Sequence, residues 1–241
     1  MSIASIVTVF GASIVLEPAE GVFTPTPNGM FYSRSIRIGR GERVIDIGTG
    51  SGILAVAAAK AGGQVVATDI DSRAVAAAER NAALNGVSID VAVGALFGPF
   101  VGPFEVILAN LPNEIVAPEY LARLAPDDAR TFSGGEQGNE HLLALMAVAD
   151  RYMHARSRLY LGVHSLTDYH GTLRAALARY AVRLIDFSAL PAKPFVAENL
   201  DFYRALADAG VIQIFRAPDG QWQTYGYVYE LTWPESLSRV A

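Results

Sequence analysis

The sequence predicts an α/β fold built on a mostly parallel central sheet with helices on both faces. Three observations carry the prediction. From residue 43 onward, short apolar runs alternate with stretches of helical spacing; a glycine-rich turn joins the first run to the first helix; and an acidic residue closes the next run. At 241 residues and 51% hydrophobic composition the chain carries enough apolar material for one large core. No repeat, low-complexity tract or long charge run divides it. One domain over 1–241 is therefore expected: a lead-in over 1–40, a core over 41–190 and an extension over 191–241.

The first residues, MSIASIVTVFGASIVLEP, are apolar, but no Lys or Arg precedes the apolar part and Gly11 interrupts it. A signal peptide or membrane span is a poor reading, and two strands forming an N-terminal β-hairpin, 6–10 and 13–16, are expected, with the Gly11-Ala12 step turning the chain. Buried-strand runs follow at 44–47, 65–69, 89–93, 104–110 and 159–164. Helices are expected over 55–61, 72–85 with Ser72 as N-cap, 139–154 and 166–178. Such alternation means βαβ units, and sheets of this kind bind ligands beyond the carboxyl ends of their strands, at the switch point. Near the end, PDGQ is a turn signal inside a C-terminal β-hairpin extension over 211–233.

A formal charge of −5 and a pI near 5.4 argue against a general phosphate-binding surface, so no nucleic-acid partner is expected. With no cysteine the chain has no disulfide, no thiolate nucleophile and no Cys-ligated metal, which suits the cytoplasm. The four histidines, at 141, 154, 164 and 170, form no metal-ligand spacing. His164 alone falls near the expected site, where a structural role is the simpler reading.

The densest signal is VIDIGTGSGILAVAAAKAGGQVVATDID. Gly48, Gly50 and Gly52, with Thr49 among them, follow a strand and open a helix, where missing Cβ atoms let backbone approach a ligand. Asp46 precedes the first glycine, and Asp69, followed by Ile70, ends the next strand. A carboxylate in that second position commonly binds ribose hydroxyls. The spacing is D-x-G-x-G-x-G and not G-x-G-x-x-G, and no phosphate loop with Lys is present. Asp46 would repel a phosphate but can help hold a cationic methionyl group.

This arrangement resembles the first motif of class I S-adenosylmethionine-dependent methyltransferases, which implies a Rossmann-like class I methyltransferase fold and S-adenosyl-L-methionine as cofactor. The run ANLPN, at the end of the fourth strand, resembles the [DN]-P-P-[YF] or N-[LI]-P-[YF] acceptor motif of methyltransferases acting on nitrogen. By that resemblance Asn110, Leu111 and Pro112 form the catalytic strip: the Asn110 side chain and the carbonyl after it accept hydrogen bonds from the target NH2. FGASIVLEPAEGVFTPTP and FSGGEQGNEHLLALMAVADRY further resemble segments of the glutamine methyltransferases that modify release factors.

The departures from that group are specific. Its leading helical domain is not seen before the hairpin, which makes release factor itself a poor acceptor. Asn113 replaces an aromatic and Leu111 a proline. Thr26, Asn28 and Gly29 stand where the group carries charged residues. Ala95, followed by Leu96, occupies the position of an acid that accepts from adenine.

The function expected is transfer of a methyl group to a nitrogen of a small or medium-sized acceptor, or of a protein side chain. Protein glutamine is one alternative. Intramolecular cyclisation releasing methylthioadenosine and a non-catalytic cofactor-binding protein are two more. The tail aromatics Tyr203, Phe215, Trp222, Tyr225, Tyr227 and Tyr229 either cap the sheet or line a substrate pocket.

Overall fold

The computed structural model describes residues 5–23 and 27–234. Thr26 lies outside them. The chain opens with β1 (Ser5–Val9) and β2 (Ala12–Leu16), then a 3-10 segment, Pro27–Ser33. Next come β3 (Arg43–Ile47), α1 (Ile53–Lys60), β4 (Gln64–Asp69), α2 (Ser72–Leu84), β5 (Asp90–Val93) and β6 (Val106–Ala109). Two short helices, α3 (Pro118–Leu121) and α4 (Pro126–Arg130), precede α5 (Glu140–Val148), β7 (Arg158–His164) and α6 (Tyr169–Leu177). The chain then runs through β8 (Ala181–Pro191), α7 (Pro194–Glu198), α8 (Leu200–Asp208), β9 (Phe215–Arg216) and β10 (Trp222–Thr232).

The strand order is β5-β4-β3-β6-β7-β10-β8. From β5 to β7 every neighbour is parallel, and β10 runs antiparallel to both β7 and β8. The inner parallel strands read as continuous apolar runs because both faces are covered: Val44, Ile45 and Ile47 on β3 and every residue of β6 are buried. The chain leaves β3 toward β4 on one side and returns to β6 on the other. That reversal makes a crevice at the carboxyl ends of β3 and β6.

Four expectations need correcting. The β1–β2 turn is Phe10-Gly11, both at positive φ (49° and 78°), because Val9 pairs with Ala12; a Gly11-Ala12 turn would shift the register. The cap of α2 is Asp71, extended at φ −96°, whose side chain accepts from Arg73 N, and Ser72 is already helical. The helix expected over 139–154 is α5 followed by a 3-10 turn, Ala149–Tyr152. The C-terminal hairpin is lopsided, since β9 has two residues and β10 eleven. β10 lies inside the sheet, between β7 and β8, where it is no cap. The 3-10 segment carries Asn28 and Gly29.

Two attachments shape the site. The N-terminal hairpin is tied to α2 by asparagines: Asn85 bonds both Val15 N and Val15 O (2.9 and 2.7 Å), and Asn81 accepts from Glu17 N and donates to Ser51 O (both 2.8 Å). On the other side, α7 and α8 pack on the segment after β6, with Ile115, Val116 and Ala117 against Phe195, Val196 and Tyr203. The Tyr203 hydroxyl accepts from Ala117 N and donates to Ile115 O, both at 3.1 Å. The tail therefore builds one wall of the crevice.

Candidate functional site

The three glycines after β3 each answer a different steric demand. At Gly48 (φ 68°) a Cβ would lie 2.5 Å from the Leu111 side chain, so its absence lets the loops after β3 and β6 meet. At Gly52 (φ 79°) a Cβ would lie 2.7 Å from Ala78 Cα, so glycine permits α1 to pack on α2. At Gly50 (φ 55°) the nearest atom would be Phe23 O at 3.7 Å. This glycine leaves backbone open to a ligand.

Two carboxylates brace the loop. Asp46 is buried and accepts from Thr49 Oγ1 (2.7 Å) and Ala55 N (3.2 Å). Burial pushes its carboxyl up to about 7, against the pull of those two bonds and with a small push from Asp69. Asp69 accepts from Gly50 N through Oδ2 (2.9 Å) and from Asp71 N through Oδ1 (3.0 Å). Two backbone donors thus fix its orientation while leaving each oxygen a further lone pair. Beyond it, Ile70 is 64% exposed on the cavity rim. Ala95 and Leu96 line the same cavity, and Leu96, at φ 51°, presents its carbonyl to Thr68 Oγ1 at 2.5 Å.

Asn110 is the first residue after β6. Ala109 N, just before it, donates to the Tyr32 hydroxyl (3.0 Å), which donates to Tyr160 O on β7 (2.7 Å). A buried tyrosine is thus wedged between two paired strands where they diverge. On β7, a Cβ at Gly162 would lie 2.8 Å from Asn110 Oδ1, so glycine makes room for that amide. Among the described residues the Asn110 side chain makes no hydrogen bond, although it lines the cavity together with Leu111 and Pro112. The Leu111 carbonyl is already engaged, accepting from Asn113 Nδ2 at 2.6 Å. Asn113 also donates to Gly162 O (3.3 Å) and accepts from His164 N (2.5 Å). Where the acceptor motif has an aromatic, this chain has a buried amide tying the β6 loop to β7.

A second polar group lies farther along the crevice. Glu114, 5% exposed, pairs through Oε2 with Lys193 Nζ (2.8 Å), and its Oε1 lies 3.4 Å from His164 Nε2. His164 Nδ1 accepts from Leu166 N and Nε2 contacts Thr224 Oγ1, both at 3.3 Å. Burial pushes the imidazole's proton affinity down; Glu114 opposes this and Lys193 adds to it. Of the tail aromatics, Tyr225, Tyr227 and Tyr229 stack along one face of β10 at 6.0 and 6.3 Å. Tyr227 reaches the cavity, its hydroxyl donating to Gln213 Oε1 (2.7 Å), while Tyr229 is buried against Tyr169.

One cavity of about 1460 Å³ joins the glycine loop, Asp69, Asn110 and Glu114. Pockets for drug-sized ligands measure roughly 300–1,000 Å³, so there is room for a cofactor and an acceptor together. The cavity wall thus brings together the site residues expected from sequence except Gly52, which does not line it and instead lets α1 pack on α2. Tyr32, Asn113, Glu114 and Lys193 were not foreseen as functional, because each acts through partners distant in the chain.

Residues 31–136 match the family model for ribosomal protein L11 methyltransferase (PrmA). A ribosomal protein L11 methyltransferase from Geobacter sulfurreducens is 36% identical over 149 residues, 53% of this chain and 48% of that one. Its counterpart from Thermus thermophilus is 42% identical over 99 residues, 39% of each. The chain spans about half or less of the length of these curated relatives. Among solved structures, the ribosomal protein L11 methylase of Lactobacillus delbrueckii subsp. bulgaricus superposes with a TM-score of 0.51 at 24% identity, covering 88% of this chain and 81% of that one. A Thermus thermophilus 16S rRNA N2 G1207 methyltransferase, solved with AdoMet and guanosine, gives 0.58 at 16% identity, over 95% of this chain and 50% of the other. The chain has the class I methyltransferase fold. An open glycine loop beside a carboxylate held by two backbone donors fits S-adenosylmethionine as its cofactor.

Proposed function

We propose that the protein transfers the methyl group of S-adenosylmethionine to a nitrogen of an acceptor, in the cytoplasm. The observation that carries this reading is the Asn110 amide at the switch point, unbonded among the described residues and in one cavity with the glycine loop. Asp69 would hold the ribose hydroxyls and Asp46, Thr49 and the loop from Gly48 to Gly52 the methionyl end. Ile70, Ala95 and Leu96 would enclose the adenine. When bound, the cofactor supplies a methyl already activated as a sulfonium.

The chain's own residues then position and shield. Asn110 Oδ1 accepts a hydrogen bond from the acceptor N–H and so sets the direction of the nitrogen lone pair. The Leu111 carbonyl, with one lone pair taken by Asn113, can accept a second. Leu111 and Tyr227 exclude water on the flanks. A protein acceptor is supported by the L11 methyltransferase match and by a cavity open enough to admit a side chain. Protein glutamine remains the second protein substrate, supported by the ANLPN motif.

The test uses purified protein, methyl-labelled S-adenosylmethionine, and either a ribosomal protein fraction or a panel of small amines, with S-adenosylhomocysteine as the product followed. Asn110→Ala should cut turnover on the order of 10²-fold with cofactor affinity nearly constant, and Asn110→Asp should keep partial activity. Parental turnover in both variants would move the acceptor site elsewhere in the cavity.

A further inference from the structure

Buried carboxylates are costly unless paired, and Glu114 is buried at the wall of the cavity with one cationic partner. That partner is half in solvent: the Lys193 side chain is 37% exposed where the Glu114 side chain is 6%. The lysine ammonium sits over the Phe132 ring at 5.1 Å and the Phe195 ring at 5.9 Å. His164 lies between Glu114 and Thr224, with Nε2 3.4 Å from the carboxylate's other oxygen. A carboxylate flanked by aromatic faces is the recognition chemistry for an alkylammonium ion, and the chain's own lysine displays an alkylammonium seated in it.

We infer that Glu114, with Phe132, forms a binding site for the cationic amine of an acceptor, and that Lys193 is a resident occupant which the acceptor displaces. The inference rests on the methyltransferase reading for its biological sense, but the site itself is defined by Glu114, Phe132 and Lys193. The carboxylate is the fixed charge because it is buried, its side chain 6% exposed. The ammonium is the mobile one because it is exposed and lies at the end of a flexible stem. An incoming amine therefore meets a site whose free fraction is set by Lys193, and its apparent affinity is reduced by that fraction. The opposite assignment, with Lys193 anchoring an acceptor carboxylate, makes the lysine indispensable.

The two assignments predict opposite effects of one substitution. The probes are n-butylammonium, n-butanol and n-butyrate, titrated at pH 7 into the full chain with and without S-adenosylhomocysteine. The readout is the ring resonances of His164 in histidine-labelled protein. Of the three probes, butylammonium should bind the parent most tightly. Lys193→Met should tighten it by about tenfold as the competing ammonium is removed, and Glu114→Gln should weaken it by a similar factor, with butanol unchanged throughout. If Glu114→Gln fails to fold with Lys193 left unpaired, Glu114→Gln/Lys193→Met removes both charges and must still lose the preference for the cation. Loss of butylammonium binding in Lys193→Met overturns the inference, as does a parent that prefers butyrate or ranks the three probes equally. A parent that fails to bind S-adenosylhomocysteine but keeps the probe order refutes the methyltransferase reading and leaves the amine site standing.

Discussion

Replacing Asp46 by Asn should flatten the pH dependence of stability between pH 5 and 8. The carboxyl is raised from 3.8 to about 7 by burial, the reverse of the usual carboxylate shift. Below pH 3.8 both folded and unfolded forms are protonated and the group contributes nothing. As pH rises from there to 7, the unfolded chain ionises while the folded one holds its proton, and stability falls. Above 7 the full penalty stands, on the order of 4 kcal/mol at 1.36 kcal/mol per pK unit. Between pH 5 and 8 the loss amounts to about 2–3 kcal/mol. The Asn amide oxygen still accepts from Thr49 and Ala55, so the loop geometry persists. His164 shifts in the opposite sense, costing stability as pH falls below 6.5, but it is common to both proteins and cancels in the difference. Urea unfolding of parent and variant at pH 5, 6, 7 and 8 gives that difference directly. A gap between the two proteins that is constant across the range would show that Asp46 is already ionised at pH 5 in the folded chain. A second readout is functional: if Asp46 faces the cationic end of the methionyl group, S-adenosylhomocysteine affinity should rise with pH up to about 7 in the parent and lose that slope in Asp46→Asn.

Asp69→Ala should weaken S-adenosylhomocysteine binding by about 1.5–3 kcal/mol in calorimetry, the range for hydrogen bonds to a charged group, with the fold retained; unchanged affinity would remove the ribose assignment. Because its carboxylate also holds Gly50 N and Asp71 N, Asp69→Asn should fall between parent and Ala. Tyr32→Phe leaves Ala109 N and Tyr160 O without the hydroxyl that joins them, and should cost about 2–6 kcal/mol in urea unfolding, at about 1–3 kcal/mol per buried polar group left unpaired. A loss under about 0.5 kcal/mol would mean that β6 and β7 close on each other directly and that the tyrosine is not what holds them apart.

The parallel core was legible because runs such as VIDI and VVATD are apolar on both faces up to the polar residues near their carboxyl ends, and a strand covered on both sides accommodates them. The glycine loop was legible for a different reason: each glycine stands where a Cβ would meet side chain or backbone, or would fill open ligand space, and such demands leave a local mark. β8 left no such mark. It is an edge strand with Leu184 and Phe187 exposed, and Arg183 pairs with Glu230 and Asp186 with Arg34 and Ser35, residues far away in sequence. The position of β10 between β7 and β8 is likewise a long-range fact, since a turn signal at PDGQ fixes a reversal without saying which strands will flank it. Tyr32 bridges partners 77 and 128 residues away, so nothing near it announces the wedge.

The altered acceptor motif follows from the same geometry. With Tyr32 prising β6 from β7 and Gly162 giving Asn110 room, the loop after Asn110 needs a strut, and Asn113 is that strut, bonding Leu111 O, Gly162 O and His164 N. An aromatic in its place would offer a stacking face but could make none of these three bonds, and the Leu111 carbonyl would lose the donor that fixes its direction. The stacking surface therefore has to come from elsewhere. The structure supplies Phe132 from the segment after α4 and Tyr227 from β10, both on the cavity wall. Under the proposed function, acceptor selection would thereby move from the four-residue motif to the tail and the Glu114 site. A chain changed only at Asn113→Tyr should then lose stability without gaining a planar acceptor, whereas changes at Tyr227 or Lys193 should alter which acceptor binds while leaving cofactor affinity intact.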